Sequence, residues 1–351
     1  MLARQGVFYP VNGYSEIPFN IVPVIERGGG KVLARCMVEE ILHDGSKVIG
    51  VKVKKTGGGS KTETFDIFAS QVISDAGLLT TFQKLLPKDV AAKSYYYHDF
   101  VCNEKISNSF SSSSVFLGFK HSNKEMGFKK NTLVIFETNS DQSKAYNDYL
   151  ALGVDEMMDR DPPSVAITFP STRNPLSEVT TPGRCTAHLI FFQNEKWFNN
   201  WKDLPVMKRG DDYTEVKEAL GHRALEIFNR LYPEHKNKID YIDYSTPGTM
   251  EYYLNHTGSC GMSHNYERLR PLNVAKLRAQ TDIPGLYLTG QDVFGGGFTG
   301  AMFGGFFGAA ATLNRGPFGS ILLDIVNLHN RLKKKAKAQG SDRCVPVYTK
   351  Y

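Results

Sequence analysis

A glycine-rich stretch near the end of the chain has the residue types best suited to holding a ligand. Residues 293–313 contain seven glycines and no charged side chain, and they follow Gly290 and Asp292 at the end of a predicted strand over Gly285–Thr289. N–H groups left without partners at a helix start bind anions and electron-rich rings. Asp292 can accept hydrogen bonds from ribose-like hydroxyls. We therefore predict a helix whose N-terminus faces a ligand, with small residues at positions 297, 300, 304 and 308 that admit a flat ring.

Two other structures are compatible with the same stretch. Its length and the spacing of Gly300, Gly304 and Gly308 suit a helix-packing motif of a membrane-spanning helix. A plain buried helix packed closely on a sheet would also need small residues at these positions. Asp292 has an alternative role too, because an aspartate before a helix often serves only as its N-cap.

Cysteine, histidine and charge patterns exclude several classes of site. The five cysteines are widely spaced, and neither Cys-x-x-Cys nor His-Glu-x-x-His occurs, so we predict no disulfide framework and no metal site. The net charge is +6, but five basic residues fall within Arg331–Lys337 alone. Because the remaining chain is nearly neutral and shows no basic face, we predict no nucleic-acid partner.

The elements that must position these residues belong to a folded protein of moderate size. The chain has 351 residues, of which 41% are hydrophobic and 22% charged. This composition is typical of a globular protein, and the length predicts about two domains. The middle of the chain alternates short β-rich runs with polar or proline-rich turns, which predicts an α+β domain on a mainly antiparallel sheet. These runs are Val115–Phe119, Leu133–Glu137, Val165–Phe169 and Ala187–Phe192.

Two further patterns in this middle region carry local predictions. The tract Ser111–Ser114 predicts a loop. Asp212–Leu231 has helical spacing of apolar residues, and Asp212 with Glu215 suits a capping box.

The first 77 residues predict part of an α/β sheet. Ser15–Arg27 has helical spacing, with Ser15 as its cap, and Lys31–Met37 predicts a short strand. Glu39–Leu42 and Lys47–Lys54 predict a hairpin around an Asp-Gly turn, and Phe65–Ser74 predicts one apolar strand.

Four stretches in order along the chain resemble the phytoene desaturase and carotenoid isomerase family of flavoproteins. The resemblance extends from about residue 8 to residue 315. Within the family, the chain is most similar to the branch that reduces retinol. The matching stretches are Tyr9–Val32, Val72–Gly77 (V-I-S-D-A-G), Ser245–Gly258 and Leu286–Gly305.

This resemblance implies an α/β fold with two parts. Residues 1–77 and 280–315 would belong to an incomplete Rossmann-like domain that binds FAD, and 78–279 would form an inserted α+β substrate domain. Residues 316–351 would form an amphipathic helix and a basic tail. The family begins with a strand, a G-x-G-x-x-G turn and a helix that hold the ADP part of FAD. Because nothing near the start matches that unit, we expect the chain to be a piece of a longer protein.

Two positions depart from the family's pattern. Asp75 stands where the family usually has asparagine, and Gly248 stands where leucine is common.

The resemblance also implies an activity, which is the flavin-dependent reduction of a C=C bond in a retinoid, from all-trans-retinol to 13,14-dihydroretinol. NAD or NADP would be the electron source. A polyene isomerase or desaturase is an alternative, and so is an inactive fragment or lipid-binding partner without its own FAD. The residues expected to contact the flavin are Gly290, Asp292, Gly297, Gly300 and Ala301.

The resemblance leaves the proton donor of this reaction unassigned. The candidates are Glu251, Tyr252, Tyr253 and His256.

The C-terminal helix has a pattern that suits a membrane surface. Phe318–Leu332 places apolar residues on one side, and basic residues follow from Arg331 to Lys337. A solvated surface helix with a basic tail has the same pattern. The resemblance further implies localisation at the endoplasmic reticulum membrane.

Overall fold

The computed structural model describes residues 9–56, 63–102, 106–129, 133–136, 141–205, 207–256, 258–259, 261–263, 265–313 and 319–338. The chain divides into two compact units. The central unit comprises residues 1–34 and 109–259, and the flanking unit comprises 35–108 and 260–351. These divisions differ from the predicted domains in two ways. Residues 1–34, predicted for the flavin domain, group with the central unit, and residues 78–108 and 260–279, predicted for the substrate domain, group with the flanking unit.

The strands are β1 Cys36–His43, β2 Val48–Lys55, β3 Thr64–Phe68, β4 Val72–Ser74, β5 Ser111–Phe119, β6 Leu133–Phe136, β7 Ser164–Thr168, β8 Cys185–Gln193, β9 Ile239–Ser245 and β10 Leu286–Leu288. The helices that carry the argument are α1 Glu16–Arg27, α2 Asp211–Leu231, α3 Pro247–Leu254, α4 Gly297–Thr312 and α5 Gly319–Ala338. Shorter helical segments are Leu78–Thr80, Thr81–Leu85, Lys88–Ala91, Tyr97–Val101, Asn123–Met126, Gln142–Leu150, Val154–Met158, Pro170–Thr172, Ser177–Thr180, Glu195–Trp201, Pro233–Lys238, Tyr266–Leu269 and Pro271–Lys276.

A five-stranded antiparallel sheet forms the framework of the central unit. Its strand order is β6-β7-β8-β5-β9, and every neighbouring pair is antiparallel. Alternate residues are buried along β8 and from Val115 to Phe119 of β5, and they pack against the apolar side of α2, for example Leu220 and Ala224. The predicted antiparallel sheet is therefore confirmed, as are the four predicted strands within it.

The serine tract is part of this sheet, so the loop predicted for it is wrong. Ser111–Ser114 begin β5, and each is between 2 and 5% exposed. Two of these hydroxyls have close partners inside the unit. Ser113 donates to Gln193 Oε1 at 2.6 Å, and the hydroxyl oxygens of Ser112 and Ser259 lie 2.7 Å apart. Buried hydroxyls with such partners are tolerated in a sheet.

The flanking unit contains two small sheets. The predicted hairpin is confirmed as β1 and β2, which pair antiparallel, and β3 adds to the free edge of β2. In the second sheet, β4 and β10 pair in parallel. The single strand predicted over Phe65–Ser74 is wrong, because the chain leaves the first sheet after β3 and enters the second at β4. The strand predicted over Lys31–Met37 is also wrong, since β1 starts only at Cys36.

Three helices differ from their predictions at the N-terminus. The predicted helix α1 is present, but the Ser15 side chain makes no capping hydrogen bond. Asp212 does not cap α2, because Gly210 occupies that position and the Asp212 carboxylate accepts from Trp201 Nε1 at 2.9 Å. Helix α4 begins at Gly297, five residues after Asp292. Within the described part of the chain, no helix is long and apolar enough to cross a membrane.

Candidate functional site

The candidate cofactor residues lie in the flanking unit, where the two parallel strands end. The Thr289 N–H donates to the Ser74 carbonyl at 3.0 Å, so the residues after β4 and after β10 are neighbours. In α/β proteins, ligands bind outside the carboxyl ends of parallel strands. Gly290 has φ +80°, and a Cβ there would overlap Asp75 Oδ1. The turn after β10 therefore requires glycine.

Asp292 is buried and ties this turn to the rest of the unit. Its Oδ2 accepts from the Leu78 N–H at 2.8 Å, and its Oδ1 accepts from the Met262 N–H at 3.0 Å. The alternative role as an N-cap is wrong, because α4 starts at Gly297 and Gly296 precedes it. Each carboxylate oxygen has a second lone pair, so contact with hydroxyls of a ligand stays a prediction.

Arg268 is the residue at this site that sequence reasoning missed. It is 4% exposed, and its guanidinium donates to the carbonyls of Met262 at 2.6 Å, Gln291 at 3.1 Å and Asp292 at 3.3 Å. Burial lowers the pKa of Arg268, while the negative charge of Asp292 opposes that change. No local pattern in the Tyr266–Leu269 segment indicates this role, since Gln291 and Asp292 lie 23 and 24 residues further along the chain.

Asp75 places a second carboxyl group beside Gly290. Burial raises the pKa of Asp75, and the negative charge of Asp292 raises it further. Two carboxylates at one turn disfavour a phosphate and favour a group that donates hydrogen bonds, such as a hydroxyl. The residue that departs from the family's asparagine thus adds an acceptor at this site.

One side of α4 packs closely against the chain before it. A Cβ at Gly300 would overlap the Gly295 carbonyl oxygen, and one at Gly304 would overlap the Gly290 carbonyl oxygen. A Cβ at Gly308 would come within 3.1 Å of Thr289 Oγ1. Among the three structures considered for this stretch, close packing on a sheet describes this side of the helix.

The N-terminus of α4 has a second, open side. No atom lies within 4 Å of a Cβ built at Gly295 or at Gly297, although the Gly297 N–H donates to Gln291 Oε1 at 2.9 Å. Phe294 and Phe298 are exposed beside these glycines, and Ala301 is half-buried. Residues 295–300 also spell G-x-G-x-x-G at a helix start. This pattern is a local property of the sequence that the predictions above did not use.

The four candidate proton donors belong to the central unit. Glu251, Tyr252 and Tyr253 lie on α3, and His256 follows it. Both tyrosines are exposed, whereas Glu251 and His256 are half-buried. Among the described residues, no cluster of three His, Cys, Asp or Glu side chains is suited to a metal ion.

Comparisons with known proteins agree with the motifs. No protein-family profile matches the sequence. The chain is 34% identical to the all-trans-retinol 13,14-reductase of Rattus norvegicus over 338 residues, which are 95% of this chain and 53% of the rat protein. It is 32% identical to a Danio rerio protein named inactive all-trans-retinol 13,14-reductase over 335 residues, again 95% of this chain and 53% of that protein. The chain thus spans about half the length of the curated relatives it matches.

The fold has a counterpart among solved structures. An oxidoreductase from Methanosarcina mazei superposes with a TM-score of 0.50 and 15% identity, over 87% of this chain and 55% of that one. The predicted α/β fold class is therefore confirmed. The resemblance stated from the motifs is confirmed by the relatives at 31 to 34% identity.

Proposed function

We propose, from its similarity to the all-trans-retinol 13,14-reductases over 95% of its length, that this chain supplies the substrate-binding and C-terminal flavin-binding parts of a retinoid reductase. The observation that supports this most directly is the turn from β10 into α4, where the resembling motif coincides with open space beside Gly295 and Gly297. The reaction is the saturation of one C=C bond of all-trans-retinol, giving 13,14-dihydroretinol.

The residues at the α4 start fit a flavin. The open side at Gly295 and Gly297 leaves room for a planar ring next to the backbone. Asp292 and Asp75 offer carboxylate oxygens to ribityl-like hydroxyls. FAD, when bound, would supply the hydride, and NADH or NADPH would supply its electrons. Gly290, Gly300 and Ala301 support this turn and the first part of α4.

The chain's own contribution to the reaction is positioning, exclusion of water and transfer of one proton. Phe294 and Phe298 provide apolar surface at the flavin segment. Reduction of a C=C bond needs a proton on the second carbon. Glu251 and His256 remain the stronger candidates to donate it, because they are half-buried whereas both tyrosines are exposed.

We expect this chain to support retinol reduction when it replaces the matching segment of the rat relative. The chimera, supplied with FAD, reductant and all-trans-retinol, should give a product two mass units heavier that absorbs at shorter wavelength. The shift follows because saturation of one bond shortens the conjugated system. Mass spectrometry and absorbance of the extracted retinoid measure both changes.

The other outcomes separate the alternative functions. A product of unchanged mass, formed with sub-stoichiometric reductant, would show an isomerase. No turnover in a chimera that contains bound flavin would show that the chain resembles the zebrafish protein named inactive, to which it is nearly as similar. The intact rat protein serves as the positive control.

We also propose that α5 contacts an anionic lipid surface, which would place the protein at the endoplasmic reticulum membrane. Leu328 and Leu332 are exposed on this helix, and Arg331, Lys334 and Lys335 lie at its C-terminal end. Apolar and basic residues together on one helix bind anionic headgroups and the adjacent acyl region. The side chains of Ile321, Leu322 and Ile325, predicted for the same face, lie outside the described residues.

Sedimentation with lipid vesicles tests this surface. We expect the chain to bind phosphatidylcholine vesicles only when they contain phosphatidylserine, and to dissociate as salt screens the charges. The double variant Lys334→Glu, Lys335→Glu should lose this binding. Equal sedimentation of the variant, or binding without phosphatidylserine, would contradict the proposal.

A further inference from the structure

A cavity of about 170 Å³ lies within the central unit, between the segment Glu195–Trp201, the start of α2 and the start of α3. Three aromatic side chains line it, namely Phe198, Trp201 and Tyr213. Ligand pockets combine such apolar walls with a few placed polar groups. None of the roles discussed above, apart from the candidate proton donor Glu251, involves the residues of this cavity.

Arg209 is the main polar group in its wall. Its Nη1 donates to the Tyr213 hydroxyl at 3.0 Å, and its Nη2 donates to the Gly248 carbonyl at 3.2 Å. The guanidinium carbon lies 4.9 Å from the centre of the Tyr213 ring. The buried Nε has no acceptor among the described residues. Arg209 therefore has donor capacity that the protein does not use, which is uncommon for a buried group.

Gly248 makes room for this arginine. A Cβ at position 248 would come within 2.7 Å of Arg209 Nη1. A larger side chain there would displace the guanidinium and fill the cavity. The space at this end of the cavity therefore depends on the combination of Gly248 and Arg209.

The charges around the cavity select the chemistry of its ligand. Arg209 and Lys202 provide hydrogen-bond donors, and Glu195 and Glu251 provide acceptors. A carboxylate would be repelled by the two glutamates, and an ammonium by the two basic residues. A hydroxyl can pair with both the basic and the acidic side chains, because it accepts a hydrogen bond from a guanidinium and donates one to a carboxylate.

We propose that this cavity binds the hydroxyl end of an apolar alcohol and disfavours the corresponding acid. The proposal rests on the proposed function for the choice of a polyene alcohol. The cavity is smaller than a pocket for a whole drug-sized ligand, so it encloses the hydroxyl and the carbons next to it.

Tryptophan fluorescence of the 351-residue chain, without added flavin, tests this inference. Both tryptophans, Trp197 and Trp201, lie in the segment beside the cavity, and retinoids absorb where tryptophan emits. We expect the dissociation constant of all-trans-retinol, measured from this quenching, to be at least tenfold lower than that of retinoic acid. Gly248→Leu should weaken retinol binding at least tenfold, whereas Gly153→Leu, at an exposed glycine of the same unit, should not.

Glu251→Gln provides a second variant that leaves the cavity's volume unchanged. Loss of its negative charge should reduce the ratio of retinol affinity to retinoic acid affinity at least threefold. Equal affinity of the native chain for both retinoids, or native affinity in Gly248→Leu, would overturn the inference. A chimera that reduces retinol normally with Gly248→Leu would overturn it while leaving the reductase proposal intact. If the chain binds retinol more tightly than retinoic acid but the chimera does not reduce retinol, the reductase proposal is overturned and this inference is kept.

Discussion

Arg268→Met should destabilise the flanking unit by about 3 kcal/mol, because buried carbonyls would lose their hydrogen-bond donor and would be left without a partner. The substitution keeps apolar volume but removes the donors to the carbonyls of Met262, Gln291 and Asp292. Both tryptophans lie in the central unit. In urea, we therefore expect a lower midpoint by circular dichroism with little change in the tryptophan fluorescence transition.

Two further variants sharpen this measurement. Arg268→Lys keeps the charge without the planar fork and should lie between the native protein and Arg268→Met. Arg270→Met removes an exposed arginine that pairs with Glu267 at 3.3 Å, and such surface pairs contribute at most about 1 kcal/mol. If Arg268→Met unfolds with the native midpoint by both probes, the buried guanidinium does not hold the turn together.

The elements that could be predicted from the sequence are those with a local signal. Helix α1 and the β1–β2 hairpin have regular spacing or an Asp-Gly turn, and the structure contains both. The serine tract was misassigned because its partners, Gln193 and Ser259, come from far along the chain. Phe65–Ser74 reads as one apolar run, and only the parallel partner β10 shows why it divides.

The candidate site, like the fold, could be predicted only where its residues give a local signal. The glycines and Asp292 predict a turn followed by a helix, because their types and spacing are local properties of the sequence. Arg268 carries no such signal, since its hydrogen bonds join residues 262, 291 and 292. The motif placed the site, but the long-range contacts that fix its geometry required the structure.

Gly304→Ala should destabilise the flanking unit by about 3 kcal/mol, the upper part of the usual range for overpacking. The added Cβ would overlap backbone atoms of Gly290, which cannot move aside as a flexible side chain could. Helix α4 would have to shift away from the turn after β10, so the chimera should also lose its flavin. Absorbance of the bound flavin and the urea midpoint by circular dichroism measure the two effects.

Gly305→Ala is the matched control, because it lies one residue further along the same helix on its open side. No atom lies within 4 Å of a Cβ at this position. Alanine stabilises an exposed helical position by about 1 kcal/mol relative to glycine, so this variant should be slightly more stable than the native chain. Adjacent glycines should thus respond to the same substitution with opposite signs. If Gly304→Ala instead behaved like Gly305→Ala, α4 would not be packed on the Gly290 turn, and the geometry of the candidate flavin site would have to be rejected.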